Sequence, residues 1–394
     1  MGAFRLGLGV ALWLGAMPAV VLAEDYRWVQ MVPGGGVEAR VVTTASTCPE
    51  AHLDGQAVAM TVRAEPLPPD FPVRVCTLTL PHDTRTASIG GEKLALPVAT
   101  PSRIIVVGDT GCRITKSARQ NCDKNWPWRE IADTAANTKP DLVIHVGDYL
   151  YRESRCPWFA GDCTNGPSGD TWATWEADYF APARSLMAVA PMVLVRGNHE
   201  ICGRGGVGWM RLLDPYPFDN AVPCRISSAP YTVPLDRVTM AVMDVADDNS
   251  NVHGQLAAVA RMTPHPAWIL LHRPFRAAAP FGSTYSLGAV AIPDTVTMAL
   301  AGHIHAFEAL SFRGQPAEIV VGNSGTSLDV VGTNNKMLDG WQVETNVNVI
   351  GFGFTLLEKA GDDWVAHVFD ASGIERESCR VHGRELDCRA VHET

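Results

Sequence analysis

From residue 103 onward the chain alternates strongly apolar runs with polar turns. The runs are Ile104-Ile105-Val106-Val107, Leu142-Val143-Ile144-His145-Val146, Met192-Val193-Leu194-Val195, Met240-Ala241-Val242-Met243, Ile269-Leu270-Leu271, Met298-Ala299-Leu300-Ala301 and Ile319-Val320-Val321. Apolar runs of this length predict strands buried on both faces by other layers. Residues Trp126 to Thr138 and Thr171 to Ala188 have the length and apolar spacing of helices. The pattern predicts an α/β or α+β layered core, a fold class whose active sites gather at the carboxyl ends of strands. Residues 24–98 differ in texture. Short β-rich runs (Val41–Thr44, Val58–Val62, Val73–Leu78) are broken by turn punctuation such as Glu65-Pro66-Leu67-Pro68-Pro69-Asp70. They read as a small N-terminal all-β accessory domain, joined at Thr100-Pro101-Ser102 to a catalytic unit over 99–372. Near the end, Phe352–Leu357 and Trp364–Phe369 flank Ala360-Gly361-Asp362 and predict a hairpin closing the sheet. Residues 373–394, with Cys379 and Cys388, read as a stapled tail.

The first 23 residues change the expected compartment. One cation, Arg5, precedes an apolar stretch from Leu6, and Val21-Leu22-Ala23 offers small residues at the −3 and −1 positions. This is the three-part pattern of a cleaved secretory signal, and it is short for a membrane span. No later segment approaches the roughly 20 apolar residues a span needs, so no stable membrane anchor is expected. The chain is therefore expected to be exported, to the periplasm or beyond. Its ten cysteines, an even count in an oxidising compartment, read as disulfides. The connectivity cannot be deduced from sequence, although proximity suggests Cys48–Cys76, Cys112–Cys122, Cys156–Cys163, Cys202–Cys224 and Cys379–Cys388. Net charge is −10 with no offsetting basic stripe, which disfavours an extended nucleic-acid partner. A small anion held by metal ions stays open, because local charge in a pocket outweighs net charge.

The chemistry gathers at the ends of the apolar runs. Five of them carry metal-ligand residue types: Gly108-Asp109-Thr110-Gly111, Gly147-Asp148-Tyr149-Leu150-Tyr151, Gly197-Asn198-His199-Glu200, Leu271-His272-Arg273-Pro274 and Gly302-His303-Ile304-His305. Asp109 and Asp148 offer anionic oxygens, Asn198 an amide oxygen, and His272, His303 and His305 ring nitrogens. A dinuclear site needs a bridging carboxylate with imidazole and oxygen donors for each ion. Two cations about 3.5–4 Å apart can hold a phosphate ester and activate a water between them.

In this order, the five motifs, the last extending to Gly302-His303-Ile304-His305-Ala306-Phe307-Glu308, resemble those of the calcineurin-like metallophosphoesterases, and more narrowly the purple acid phosphatases. The resemblance spans about Arg103 to Glu308. It implies a layered β-sandwich flanked by helices and a metal-dependent phosphoric ester hydrolase. Many relatives carry Asp-x-His in the first motif, whereas Gly111 holds that third position here. The purple subfamily is similar to this sequence in that glycine and in a tyrosine three residues after the second aspartate, which is Tyr151. The resemblance then implies Fe(III) held by Asp109, Asp148, Tyr151 and His305. A divalent Zn, Mn or Fe would be held by Asp148, Asn198, His272 and His303. It implies His199 as a hydrogen-bond donor or general acid toward substrate, with Glu200 and Glu308 bracing the ligands. The reaction would be attack of metal-bound hydroxide on a small phosphate monoester, with no phosphoenzyme.

One departure weakens the monoesterase assignment. Residues 273–280 lack the additional histidine that plant-type relatives usually carry after the position of His272. Arg273 or Arg276 could supply charge there instead. The alternatives are a phosphodiesterase or nucleotidase of the same fold, and a non-catalytic exported binding module. No G-x-S-x-G or P-loop pattern occurs. His145 and Asp244 read as structural, and the remaining histidines (His52, His82, His253, His265, His367, His382 and His392) as surface or packing residues. The insert 152–179, with Trp158, Trp172 and Trp175, reads either as a loop at the site mouth or as a disulfide-braced structural loop. Residues 203–217, including Arg204 and Trp209, carry the same ambiguity. The oligomeric state and the natural substrate are not encoded in any feature of the sequence.

Overall fold

The computed structural model describes residues 25–157, 163, 166–235, 237–332 and 335–391; the leader expected over 1–23, Trp158 and His392 lie outside the described residues. Two sheets stack face to face. The first has eleven strands in the order Glu385–Ala390, Glu375–His382, Asp363–Asp370, Gly353–Ala360, Arg103–Val107, Leu142–His145, Met192–Leu194, Tyr26–Val32, Gly36–Thr43, Arg74–Thr79 and Thr61–Ala64. The second has eight: Tyr231–Leu235, Val238–Val242, Ala267–Leu270, Val296–Ala301, Ala317–Val321, Phe307–Phe312, Trp341–Val349 and Met337–Leu338. Arg103–Val107, Leu142–His145 and Met192–Leu194 run parallel, as do Val238–Val242, Ala267–Leu270, Val296–Ala301 and Ala317–Val321.

The period-2 alternation of the strands explains why the runs lack polar interruptions. Ile104, Val106 and Ile144 meet Met240, Leu270, Met298, Leu300 and Ile319 in the core between the sheets. Their neighbours Ile105, Val107 and Val143 face the other way, onto Trp128, Ile131 and Ala135 of the helix Trp128–Asn137 and Leu186 and Met187 of Arg184–Val189. On the far side of the second sheet, Ala241, Ile269 and Ala299 pack on Leu256 and Val259 of the helix Val252–Met262. The result is a β-sandwich flanked by helices. Each fully buried large apolar side chain in these layers contributes roughly 1.5–3 kcal/mol, which holds the strand ends in fixed relative positions.

The division expected near residue 98 runs through one sheet. Tyr26–Val32 pairs with Met192–Leu194 and with Gly36–Thr43, so the amino-terminal strands extend the sheet that carries the motifs. Only Ala51–Leu53, Gln56–Val58, Ala87–Ile89 and Glu92–Lys93 form a separate four-stranded sheet. Two arginines tie this region to the site side. Arg63 donates to the carbonyls of Met210, Arg211, Asp214 and Tyr216 at 2.8–3.1 Å. Arg40 donates to Leu212 O and Asp214 O at 3.0 and 2.9 Å. Together they satisfy carbonyls that the helix Gly206–Leu212 leaves without partners at its carboxyl end.

The predicted hairpin forms between Gly353–Ala360 and Asp363–Asp370, and two further strands continue beyond it. The residues expected as a stapled tail make the sheet's edge hairpin, with Cys379 opposite Cys388. The ten cysteines pair as Cys48–Cys76, Cys112–Cys122, Cys156–Cys163, Cys202–Cys224 and Cys379–Cys388. Among the described residues, no helix is long and apolar enough to cross a membrane.

Candidate metal centre

All five motifs follow directly on parallel strands, at the same edge of the sandwich. Three of the residues they deliver have left-handed backbones that non-glycine residues rarely adopt: Asp109 at φ +56°, Asp148 at +61° and His303 at +72°. Such conformations persist only where surrounding structure imposes them, and they cluster at functional sites. Here they turn the chain back at the strand end and throw each side chain over the sheet edge. Gly197 is required by the closeness of approach. A Cβ there would lie 2.1 Å from Asp148 Oδ1 and 2.2 Å from Asp148 N.

Two side-chain clusters result, sharing Asp148. In the first, the Tyr151 hydroxyl lies 2.9 Å from Asp109 Oδ1, 2.8 Å from Asp148 Oδ2 and 3.0 Å from His305 Nε2. One phenolic proton can be donated to only one of these groups. In the second, Asn198 Oδ1 lies 2.9 Å from His272 Nε2 and 2.6 Å from His303 Nδ1. His272 Nε2 is also 3.2 Å from Asp148 Oδ2. Asp148, His272 and His303 offer donor atoms all within 4.8 Å of one another.

The second layer fixes which ring nitrogen faces inward. A carbonyl can only accept, so His272 Nδ1–H is donated to Val146 O at 2.8 Å and His305 Nδ1–H to Ser327 O at 3.0 Å. Nε2 of each ring is left as a lone-pair donor toward the site. Burial drives His303 well below the usual imidazole range and His305 down to about 4, so both rings are neutral at pH 7. Burial, then the adjacent Asp148 charge, pushes the Asp109 carboxyl well up. For Asp148 burial acts in the same direction, but His272 and His199 overcome it and hold its carboxyl well below the ordinary range. Burial and both carboxylates push the Tyr151 phenol up. Hard oxygen donors crowded in a dry site against neutral imidazoles fit cations, whose charge would reverse these upward shifts.

Gly111 explains itself against Tyr151. A Cβ at Gly111 would come within 2.7 Å of Tyr149 O, 2.8 Å of Tyr151 N and 3.0 Å of Tyr151 Cδ2. The backbone of the second motif loop, with the Tyr151 ring behind it, therefore excludes a side chain at that position, including the histidine of Asp-x-His.

His199 donates its backbone N–H to Asp148 Oδ1 at 2.8 Å, and its ring packs 3.7 Å, centroid to centroid, from Tyr151. Its Nε2 is 3.8 Å from Asp148 Oδ2. Glu200 accepts from the N–H groups of Gly197, Asp148, Tyr149 and Leu150 at 2.9–3.1 Å, which locks the second and third motif loops together. Burial and the nearby Asp148 push its carboxyl up to about 8. Glu308 is placed elsewhere. Its Oε2 accepts from Ala278 N–H at 3.0 Å, on the hairpin after His272, and its Oε1 has no partner.

Several residues with no motif signal complete the site. Asp178, from the helical stretch that ends the insert, accepts the N–H groups of Cys112, Tyr151 and Arg152 and the Arg152 side chain. Asp329 accepts His305 N–H at 3.1 Å. Arg204 and Glu153 lie against His199. Of the arginines considered from sequence, Arg273 pairs with Asp248, and Arg276 is buried among backbone carbonyls and over Trp341. His145 lies in the core, between Thr110 Oγ1 and Gly147 N–H. Asp244 pairs with Arg196. Trp172 and Trp175 are buried in an aromatic cluster with Tyr149, Tyr179 and Phe180.

Residues 102–307, just over half of the chain, match the calcineurin-like phosphoesterase family. A sequence comparison with curated proteins finds no match. Among solved structures, the purple acid phosphatase PPD1 from yellow lupin (Lupinus luteus) seeds superposes with a TM-score of 0.64 at 13% identity, over 90% of this chain and 73% of that one. The structure of PhoD superposes with a TM-score of 0.58 at 12% identity, over 94% and 92%. At these identities the likeness is one of fold. The family match and the geometry agree: the chain belongs to the calcineurin-like phosphoesterases, and it is a metal-dependent phosphoesterase.

Proposed function

We propose that this chain is an exported phosphatase of the purple acid type, acting on small phosphate monoesters through a dinuclear centre. The observation that carries the reading is the Tyr151 hydroxyl, set within 3.0 Å of Asp109, Asp148 and His305. Asp109, Asp148, Tyr151 and His305 would hold Fe(III), because a phenolate is a hard, anionic oxygen donor. Asp148, Asn198, His272 and His303 would hold a divalent Zn, Mn or Fe. Two cations held by these residues would supply Lewis acidity toward the phosphoryl oxygens and would lower the pKa of a water nucleophile.

The protein's own groups do the rest. His199 anchors the shared carboxylate through its N–H, donates Nδ1–H to Leu150 O at 3.1 Å and turns Nε2 to the site, where once protonated it donates to the phosphoryl or leaving oxygen. Glu200 and Asp178 keep the loops that deliver Asp148, Tyr151 and Asn198 from moving apart. Export is supported by the five disulfides, which are characteristic of oxidising compartments, together with the leader expected over 1–23.

An assay of metal-reconstituted protein on p-nitrophenyl phosphate and bis(p-nitrophenyl) phosphate tests the substrate class. The reading expects the monoester to be hydrolysed with the larger kcat/KM and inorganic phosphate to be released. A larger value for the diester, with the monoester accumulating as product, would establish a phosphodiesterase instead. Hydrolysis of neither would favour a binding module.

A further inference from the structure

The loop after Asn198 doubles back over the site. Arg204 N–H is donated to Ile201 O at 2.9 Å and Gly205 N–H to His199 O at 2.8 Å, closing a tight turn. The Cys202–Cys224 disulfide pins it from outside, and Arg196 braces it through Glu200 O at 2.9 Å. The turn returns the Arg204 guanidinium to the residues from which it started. Arg204 Nη1 donates to Asn198 O at 3.2 Å, and Nη2 sits 2.8 Å from each ring nitrogen of His199. Glu153, two residues beyond Tyr151, takes the Nε edge at 2.5 Å and also lies 3.0 Å from His199 Nδ1.

A guanidinium has five N–H donors in a rigid fork. Glu153 and Asn198 O account for the Nε edge and part of the η edge. Glu153 also pairs with Nη2, which His199 faces, so the donor left for a further acceptor is the second N–H of Nη1. The side chain is 28% exposed. It is also close to the chemistry. Nη2 lies 2.8 Å from His199 Nε2, which is itself 3.8 Å from the carboxylate shared by both clusters. A phosphoryl group held by cations beside that carboxylate would lie on the fork's side of His199.

From these contacts we propose that Arg204 binds the substrate phosphoryl group directly and sets the preference for monoesters over diesters. The inference rests on the phosphomonoesterase reading of the same site. A monoester presents three non-bridging oxygens and up to two negative charges. A diester has two such oxygens and one charge. An oxygen left over once the metal side and His199 are served is available only in the monoester, and a charge-assisted bond to a guanidinium recognises it. Arg204 thereby supplies the cation that residues 273–280 do not, since Arg273 and Arg276 are engaged elsewhere.

The test uses metal-loaded wild-type protein beside Arg204→Gln and Arg204→Lys. Binding of inorganic phosphate is measured by calorimetry, and kcat/KM for p-nitrophenyl phosphate and its bis ester by absorbance. Arg204→Gln is expected to weaken phosphate binding and monoester kcat/KM by roughly 30- to 100-fold while diester kcat/KM falls less than about threefold. Arg204→Lys, which restores a point charge without the fork, should lie between. It also serves if the glutamine variant does not fold. Phosphate affinity unchanged in the folded variants, or equal losses for both esters, overturns the proposal. If wild type hydrolyses neither ester, the phosphomonoesterase reading fails, and the phosphate titration still decides whether Arg204 is an anion contact.

Discussion

Asp148→Asn is expected to leave a folded protein that retains neither its metals nor its activity, with hydrolysis down by at least about a thousandfold. The geometry gives the reason. Asp148 Oδ2 lies 2.8 Å from the Tyr151 hydroxyl and 3.2 Å from His272 Nε2, so one oxygen serves both clusters. Oδ1 meanwhile accepts His199 N–H at 2.8 Å. The amide preserves size and can still accept that N–H. It removes the negative charge, and its nitrogen has no lone pair for a cation. Charge stabilisation by bound metal contributes several kcal/mol to the transition state, and each 1.36 kcal/mol is tenfold in rate. Elemental analysis, circular dichroism and an ester assay on the same preparation check the three parts together. Full activity in the folded variant would refute this arrangement of the site.

Tyr151→Phe should remove any visible band from an Fe(III)-loaded protein while the fold persists. The ring is fully buried and packs on His199 at 3.7 Å, and a phenylalanine keeps that packing. Only the hydroxyl is lost, and with it the oxygen that Asp109, Asp148 and His305 surround. The absorption spectrum and thermal unfolding of wild type and variant are compared after identical loading with iron. A coloured band that survives the substitution would show that Tyr151 is not a ligand.

The parts of this site that sequence made visible are those carried by single strand ends. Asp109, Asp148, Asn198, His272, His303 and His305 each follow an uninterrupted apolar run, and burial on both faces makes such runs easy to read. What sequence hid acts across the fold. Asp178 holds the Tyr151 loop through backbone N–H groups, and any short polar side chain could in principle accept them, so no motif marks it. Arg204 reaches His199 only because a disulfide-pinned turn folds back. Glu308 resembles a ligand brace by its place beside His305, yet strand alternation directs it to Ala278 instead.

The outer strands were obscure for a related reason. Tyr26–Val32 and Trp341–Val349 contain polar residues amid the apolar ones and do not stand out as buried runs. The composition change near residue 98 marks an irregular connection, and the sheet itself runs across it. The insert tryptophans Trp172 and Trp175 read either as a site mouth or as a structural loop, and the aromatic cluster around Tyr149 buries them.

The central claim is a dinuclear, iron-containing centre at the strand ends. Elemental analysis with a visible spectrum, on protein purified from an oxidising compartment without added metal, tests it most directly. The account predicts about two metals per chain, iron among them, with a broad tyrosinate-to-Fe(III) band. A protein that holds no metal tightly, even after reconstitution, would contradict it.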